Sequence, residues 1–232
     1  MTAAALEARG LEAGYLGVPV LHDLNLRVEP GEVVALLGAN GAGKTTALLT
    51  LAGDLKPLKG EVLLHGEVTT APMHRRVQQG LALITDDRAL FSGLSALDNL
   101  RLGRGTVDAA LAAFPELQPL LKTSAGLLSG GEQQMLSLGR VLAAEPSVVL
   151  ADELSLGLAP KIVTRLLAAV RASADRGAAV LLVEQHVRLV LGIADRGYVL
   201  RQGSVALSGT AQELRANLKE IERSYLSAPV DV

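Results

Sequence analysis

The sequence predicts an α/β fold with a parallel-sheet core, and three observations carry the prediction. Of the 232 residues 49% are hydrophobic but only 2% aromatic, so the core has to be packed from Leu, Val, Ile and Ala, the composition of parallel sheet covered by helices. A glycine-rich loop over residues 38–45 joins an apolar run to a helical one. From Ser147 onward strand and helix patterns alternate, a βαβ series that folds into parallel sheet with right-handed crossovers. The length suits one large domain, or a core with a smaller lobe, and is too short for two such cores.

Residues 24–28 alternate with period two and read as a half-buried strand, whereas 31–38 are continuously apolar and read as a buried one. The glycine loop opens a helix expected to end near Gly53. Residues 60–66 and 81–85 read as further strands. Over 94–145 the pattern is helical, with Ser95 and Asp98 at capping-box spacing and Pro115 separating one helix from the next, so this stretch is expected to form a second lobe. A strand over 147–152, a helix over 159–177 closed by Gly177, a strand over 178–184 and a short helix reaching Ala194 follow. Residues 197–209 read as a hairpin turning at Gln202 and Gly203, with a last short helix from about Ala211.

Charge and composition remove several function classes. Lys plus Arg number 22 against 24 Asp plus Glu, a net charge of −2, so no basic field is available for nucleic acid or anionic lipid. The absence of cysteine excludes disulfides and thiolate metal sites and fits a reducing compartment. Charges interrupt the first ten residues before an apolar core of a signal peptide could form. No stretch approaches the roughly 18 apolar residues of a membrane span, so work at a membrane implies docking on another protein.

The glycine loop carries the first chemistry. Residues 38–45 satisfy G-x-x-x-x-G-K-[ST] between a strand and a helix, the context of a P-loop. Gly38, Ala39, Asn40, Gly41, Ala42 and Gly43 can turn backbone N–H groups inward around phosphate oxygens, where larger side chains would obstruct. The helix beginning at Lys44, Thr45 and Thr46 adds the positive end of its dipole. Lys44 is expected to reach the β- and γ-phosphates of a nucleotide, and the Thr45 hydroxyl to ligate Mg²⁺. Asp152, ending an apolar strand, is the carboxylate expected to hold the metal's water shell. Glu153, one residue on, points away from the metal and is placed to take a proton from an attacking water.

Residues 128–134 read LSGGEQQ, and this heptapeptide resembles the signature of ATP-binding cassette (ABC) proteins; with the P-loop and Asp152–Glu153 the resemblance covers essentially the whole chain. Ser129, Gly130, Gly131 and Glu132 open a helix and read as a second anion site, with a hydroxyl and free N–H groups. The resemblance implies a P-loop nucleoside triphosphatase fold, a single domain over 1–232 with an antiparallel β subdomain and a helical signature subdomain at about 89–145. It implies ATP and Mg²⁺ as ligands and a head-to-tail dimer with a second ABC ATPase, homo- or heterodimeric, each signature closing over the ATP on the partner's P-loop. Tyr15 falls where the family stacks an aromatic on adenine. Residues 155–159 fall at a dimer-contact loop, and the helical lobe where cassettes dock on membrane subunits.

The phrases GANGAGKTT, LSGGEQQML, SLGLAPKIV and ADRGYVL resemble one branch, the ATPase subunits of importers for branched-chain and other hydrophobic amino acids. The resemblance implies a peripheral protein on the cytoplasmic face of the membrane, two transmembrane permease subunits and, indirectly, a solute-binding protein. Importers of urea and short amides share much of this wording and are the alternative, as is a nucleotide-gated partner with weak hydrolysis. Two positions depart from the branch, and a third departs from most ABC proteins, which put a His there, while agreeing with the Gln-Asn that the branch often carries. Thr85, Asp86, Asp87 and Arg88 stand where it reads Pro-Glu-Gly-Arg, so Asp86 takes the place of a longer residue that touches Mg²⁺ or the attacking water. Leu154 replaces a proline after Glu153, which alters loop stiffness more than chemistry. At the γ-phosphate switch, counting back from Ala194-Asp195-Arg196 selects Gln185, with the alternative His186 one position later. An amide can donate to the phosphate without carrying charge.

Overall fold

The computed structural model describes residues 3–85, 87–219 and 221. Strands β1 (Leu6–Tyr15), β2 (Val18–Val28) and β3 (Val33–Gly38) lead into helix α1 (Lys44–Ala52), followed by β4 (Lys59–Leu64), β5 (Glu67–Val68), α2 (Met73–Gln78) and β6 (Leu81–Ile84). The segment before the next strand holds α3 (Ala96–Arg101), α4 (Val107–Ala113), two 3₁₀ turns and α5 (Gly130–Leu142). Then come β7 (Val148–Asp152), α6 (Pro160–Asp175), β8 (Ala179–Glu184), α7 (Val187–Val190), β9 (Arg196–Arg201), β10 (Ser204–Thr210) and α8 (Ala211–Ala216).

Two sheets form. One is six-stranded in the order β10-β9-β3-β8-β7-β6, parallel throughout except for the β9–β10 hairpin. The other is antiparallel, in the order β2-β1-β4-β5. Because side chains alternate faces along a strand, the buried central strands supply two cores at once. Val33, Ala35 and Leu37 of β3 join Val180 and Leu182 of β8 in a core shared with α3–α6. Val34 and Leu36 instead join Leu181, Val183 and the α1 residues Ala47, Leu48 and Leu51, together with Leu6, Leu11 and Leu24 of the antiparallel sheet. Helix α1 is therefore clamped between the two sheets, which fixes the loop preceding it.

The parallel core, the hairpin and the helical stretch agree with the sequence reading. Gln202 and Gly203 both take positive φ, 48° and 80°, as a two-residue turn with right-twisted strands requires. Ser95 caps α3 by accepting the Asp98 N–H at 3.1 Å, but Asp98 accepts from the Ser95 hydroxyl, so the return arm of a capping box goes to Oγ and not to the backbone. The first of these strands begins at Val33, because Gly31 at φ 81° belongs to a turn. Helix α7 ends at Val190, and Gly192 and Ile193 donate to carbonyls three residues back, tightening the remainder into turns. Strand β1, the first six residues of β2 before Leu24, and helix α2 were not anticipated.

Candidate functional site

The carboxyl ends of β3, β8 and β7 lie side by side in the parallel sheet, and each delivers part of one site. This is the edge at which open α/β sheets bind ligands. Residues 39–43 leave β3 and re-enter the fold as α1. At Gly43, φ 101°, an added Cβ would lie 2.8 Å from Leu21 Cδ2; at Gly38 it would lie 2.7 Å from the Leu200 carbonyl and 3.0 Å from Ala42 Cβ. Gly41 faces open space at φ 77°. The loop is therefore a cradle with no room for side chains on its packed side and an open side towards solvent. It is tied from outside as well, since the Gly203 N–H of the β9–β10 turn donates to Ala42 O at 3.1 Å. Asn40 and Thr45 are exposed, Ala39 is half-buried, and Ala42 and Thr46 are buried.

Lys44 is buried, and its Nζ donates to Gly38 O at 2.8 Å and to Ala39 O at 3.1 Å. Burial pushes its pKa below the ordinary lysine value, while Glu153, Asp152 and Glu184 pull it back up. Thr45 Oγ1 donates to Asp152 Oδ2 at 3.2 Å, so the hydroxyl and carboxylate expected to share a metal are neighbours. Small loop residues, a buried ammonium and this hydroxyl–carboxylate pair fit a nucleoside triphosphate with Mg²⁺, whose phosphates would take over the Lys44 bonds now made to loop carbonyls.

Glu153 extends the ladder by one residue, its N–H donating to Val183 O at 2.9 Å, and then turns at φ 45°. A non-glycine residue there is uncommon and strained by of order 1 kcal/mol or more, so the surroundings must hold it. Gln185 does so directly, Nε2 donating to Glu153 Oε1 at 2.5 Å. Of the two switch candidates, Gln185 is the one bonded to Glu153; His186 is exposed at the head of α7 and makes no side-chain cap bond. Leu154 is buried in the helical-side core, so the position after Glu153 is anchored by packing. Glu184, which sequence reasoning passed over as the end of a strand, is 1% exposed and accepts from Ser155 N at 2.9 Å and Ser155 Oγ at 2.7 Å. Burial raises its pKa, against the lowering effect of the Ser155 bonds.

Other predicted residues lie apart from this cluster. Ser129 opens α5 through a full capping box: the Glu132 carboxylate accepts Ser129 N–H at 2.7 Å and Ser129 O–H at 2.8 Å, and Glu132 N–H returns to Ser129 Oγ at 3.4 Å. The Ser129 hydroxyl and N–H are thus engaged by the chain's own carboxylate, not free as the sequence reading had them. Gly130 and Gly131 follow in the first turn. Tyr15 ends β1 with 48% of its surface exposed. Asp86 lies outside the described residues. Beyond it Arg88 and Ala89 take positive φ, and Arg88 donates to Gln133 Oε1 at 2.8 Å and Gln134 Oε1 at 3.0 Å, fastening the loop after β6 to α5.

A parallel sheet with a P-loop at one strand end and Asp-Glu at the end of another strand defines a P-loop nucleoside triphosphatase; the antiparallel sheet and the capped signature helix narrow it further. The family model for ABC transporters matches residues 21–155. The chain is 37% identical over 222 residues to the high-affinity branched-chain amino acid transport ATP-binding protein BraG of Pseudomonas aeruginosa, covering 91% of this chain and 95% of that one. It is 38% identical to the probable branched-chain amino acid transport ATP-binding protein LivF of Archaeoglobus fulgidus, covering 88% and 91%. It is also 34% identical to the lipopolysaccharide export system ATP-binding protein LptB of Acidithiobacillus ferridurans, covering 90% and 91%. A solved ATP-binding subunit of an ABC transporter superposes with a TM-score of 0.82 at 25% identity over 96% of this chain and 100% of that one. The chain belongs to the ABC transporter family and is an ATPase, an ATP-binding subunit that works with membrane components. Among the described residues no helix is long and apolar enough to cross a membrane.

Proposed function

We propose that this subunit powers uptake of branched-chain or other hydrophobic amino acids from the cytoplasmic face of the membrane, as a head-to-tail dimer with a second cassette docked on two permease subunits. The observation that supports the site assignment is the convergence of Lys44, the Thr45–Asp152 pair and the Glu153–Gln185 pair at three adjacent strand ends. The solute class rests on the likeness to BraG and LivF.

In this reading Lys44 turns from the loop carbonyls to the β- and γ-phosphates, and Tyr15 offers its exposed ring to the base. Thr45 and Asp152 would hold Mg²⁺, which would supply positive charge to offset that developing on the phosphates. Glu153 accepts the proton of the attacking water. Gln185 carries two hydrogens on Nε2, one already used on Glu153 and the other available to the γ-phosphate. Ser129 and the glycines after it act on the nucleotide of the partner cassette once Glu132 yields the hydroxyl. Hydrolysis is then positioning plus charge stabilisation, with the protein supplying little covalent chemistry.

The Glu153→Gln variant tests the reading. It is expected to bind ATP with unchanged affinity and to lose turnover by about 10²- to 10⁴-fold, the worth of a general base; turnover equal to wild type would sink it. A second reading, export of lipopolysaccharide, is favoured by the likeness to LptB. The identity of the membrane partners separates the two.

A further inference from the structure

Glu184 has no part in the mechanism above, yet it is a carboxylate 1% exposed at the end of β8, paired in the ladder with Leu37 of β3. Burying a carboxylate is costly unless its lone pairs are used. Both oxygens are used on one residue: Oε1 by Ser155 N–H at 2.9 Å and Oε2 by Ser155 O–H at 2.7 Å. Ser155 is itself buried and lies two residues after Glu153. The next residue of the same strand end, Gln185, holds Glu153 itself. Glu184 at the end of β8 and Gln185 just beyond it thus grip alternate residues of the loop leaving β7, Ser155 and the positive-φ Glu153.

We propose that Glu184 is a positioning residue for Glu153: its double hydrogen bond with Ser155 fixes the loop after β7 and so aims the carboxylate that meets the attacking water. The inference rests on the ATPase role given to Glu153. The geometry explains why the strain at Glu153 persists: the Ser155 anchor adds to the Val183 ladder bond, the Gln185 amide, the Leu156 N–H donated to Glu153 O at 3.2 Å and the packing of Leu154 in restraining its turn. It also explains why an acidic residue occupies a site otherwise suited to an apolar one: a carboxylate accepts an N–H and an O–H together in a planar, two-point grip.

The test uses the full chain with its co-purified membrane partners, measuring ATP hydrolysis and nucleotide affinity. Wild type and Glu153→Gln are read first; a wild type without hydrolysis, or an undiminished Glu153→Gln, overturns the role of Glu153 before Glu184 is questioned. Given that role, Glu184→Ala is expected to lower kcat by about 10- to 100-fold, the scale of a small misplacement, with KM and nucleotide Kd within about twofold. Glu184→Gln is expected to keep roughly half of kcat or more, because its carbonyl still accepts the Ser155 N–H and its amide can donate to Oγ. In a Glu153→Gln background Glu184→Ala is expected to change residual turnover by less than about twofold, since the group it aims is gone. An unchanged kcat in Glu184→Ala, or the same fractional loss with and without the Glu153 carboxylate, overturns the proposal. Should Glu184→Ala fail to fold, Ser155→Ala cuts one bond from the other side. It is expected to lower kcat in the wild-type background alone, and equal losses in both backgrounds overturn the proposal.

Discussion

Lys44 and Glu184 are both buried ions within one site, and burial moves their proton equilibria in opposite directions, down for the ammonium and up for the carboxyl. For Glu184 the consequence can be measured. The native carboxyl binds its proton more tightly than the unfolded chain does, so stability contributed by this group is fully present below the ordinary value near 4.5 and is lost as pH rises through the raised native value. Gln at 184 has no such slope. Urea unfolding at about pH 5 and about pH 8 is therefore expected to show wild type losing stability relative to Glu184→Gln at the higher pH; the reverse trend would mean that the Ser155 bonds outweigh burial. Single residues differed in how readable they were. Gly38 to Thr45, Asp152 and Glu153 are local words whose chemistry follows from spacing. Glu184 is not, because its partner is 29 positions away on another strand end and the pattern shows only an acid closing an apolar run.

At the scale of elements, the loop–helix unit that carries Lys44 is fastened at its far end by a residue the sequence did not reveal. Arg76, 2% exposed in α2, donates to Leu51 O at 2.7 Å and Thr50 O at 3.2 Å, carbonyls in the last turn of α1, and to Ala71 O at 2.8 Å. A guanidinium there satisfies the Leu51 carbonyl, adds a second donor to Thr50 O, which Gly53 N–H also reaches, and complements the helix dipole. Arg76→Ala is expected to cost roughly 2–4 kcal/mol, the price of several buried acceptors left unmade, read as a lower urea midpoint with an unchanged m value. An effect below about 0.5 kcal/mol would mean that water replaces the cap. Strand β1 escaped sequence reading for a related reason. Its buried residues run Leu6, Ala8, then Leu11, Ala13, a period of two broken in phase by the register shift between Ala8 and Leu11, where Gly10 sits at φ 54°. A strand with a bulge has no single alternation to find. The buried strands β3, β7 and β8 were legible because they are apolar on both faces and short.

For the whole molecule, α1 lies between the antiparallel and parallel sheets, and the helices between β6 and β7 cover the other face of the parallel sheet. Affinity purification from the native membrane in mild detergent is expected to recover a second cassette ATPase and two polytopic proteins, with binding of a hydrophobic amino acid by the attached solute-binding protein. Recovery of components that move lipopolysaccharide would favour the export reading, and recovery of the intact chain alone would overturn both. The cap of α5 bears on how such partners engage. Glu132 is tied to the chain only three residues from Ser129, so its carboxylate competes for that hydroxyl and N–H at the effective concentration of a short tether, in the millimolar range or above. An anion delivered on a second surface, with contacts of its own to contribute, is better placed to displace it, so in a solitary subunit the signature's hydroxyl stays masked by its own carboxylate.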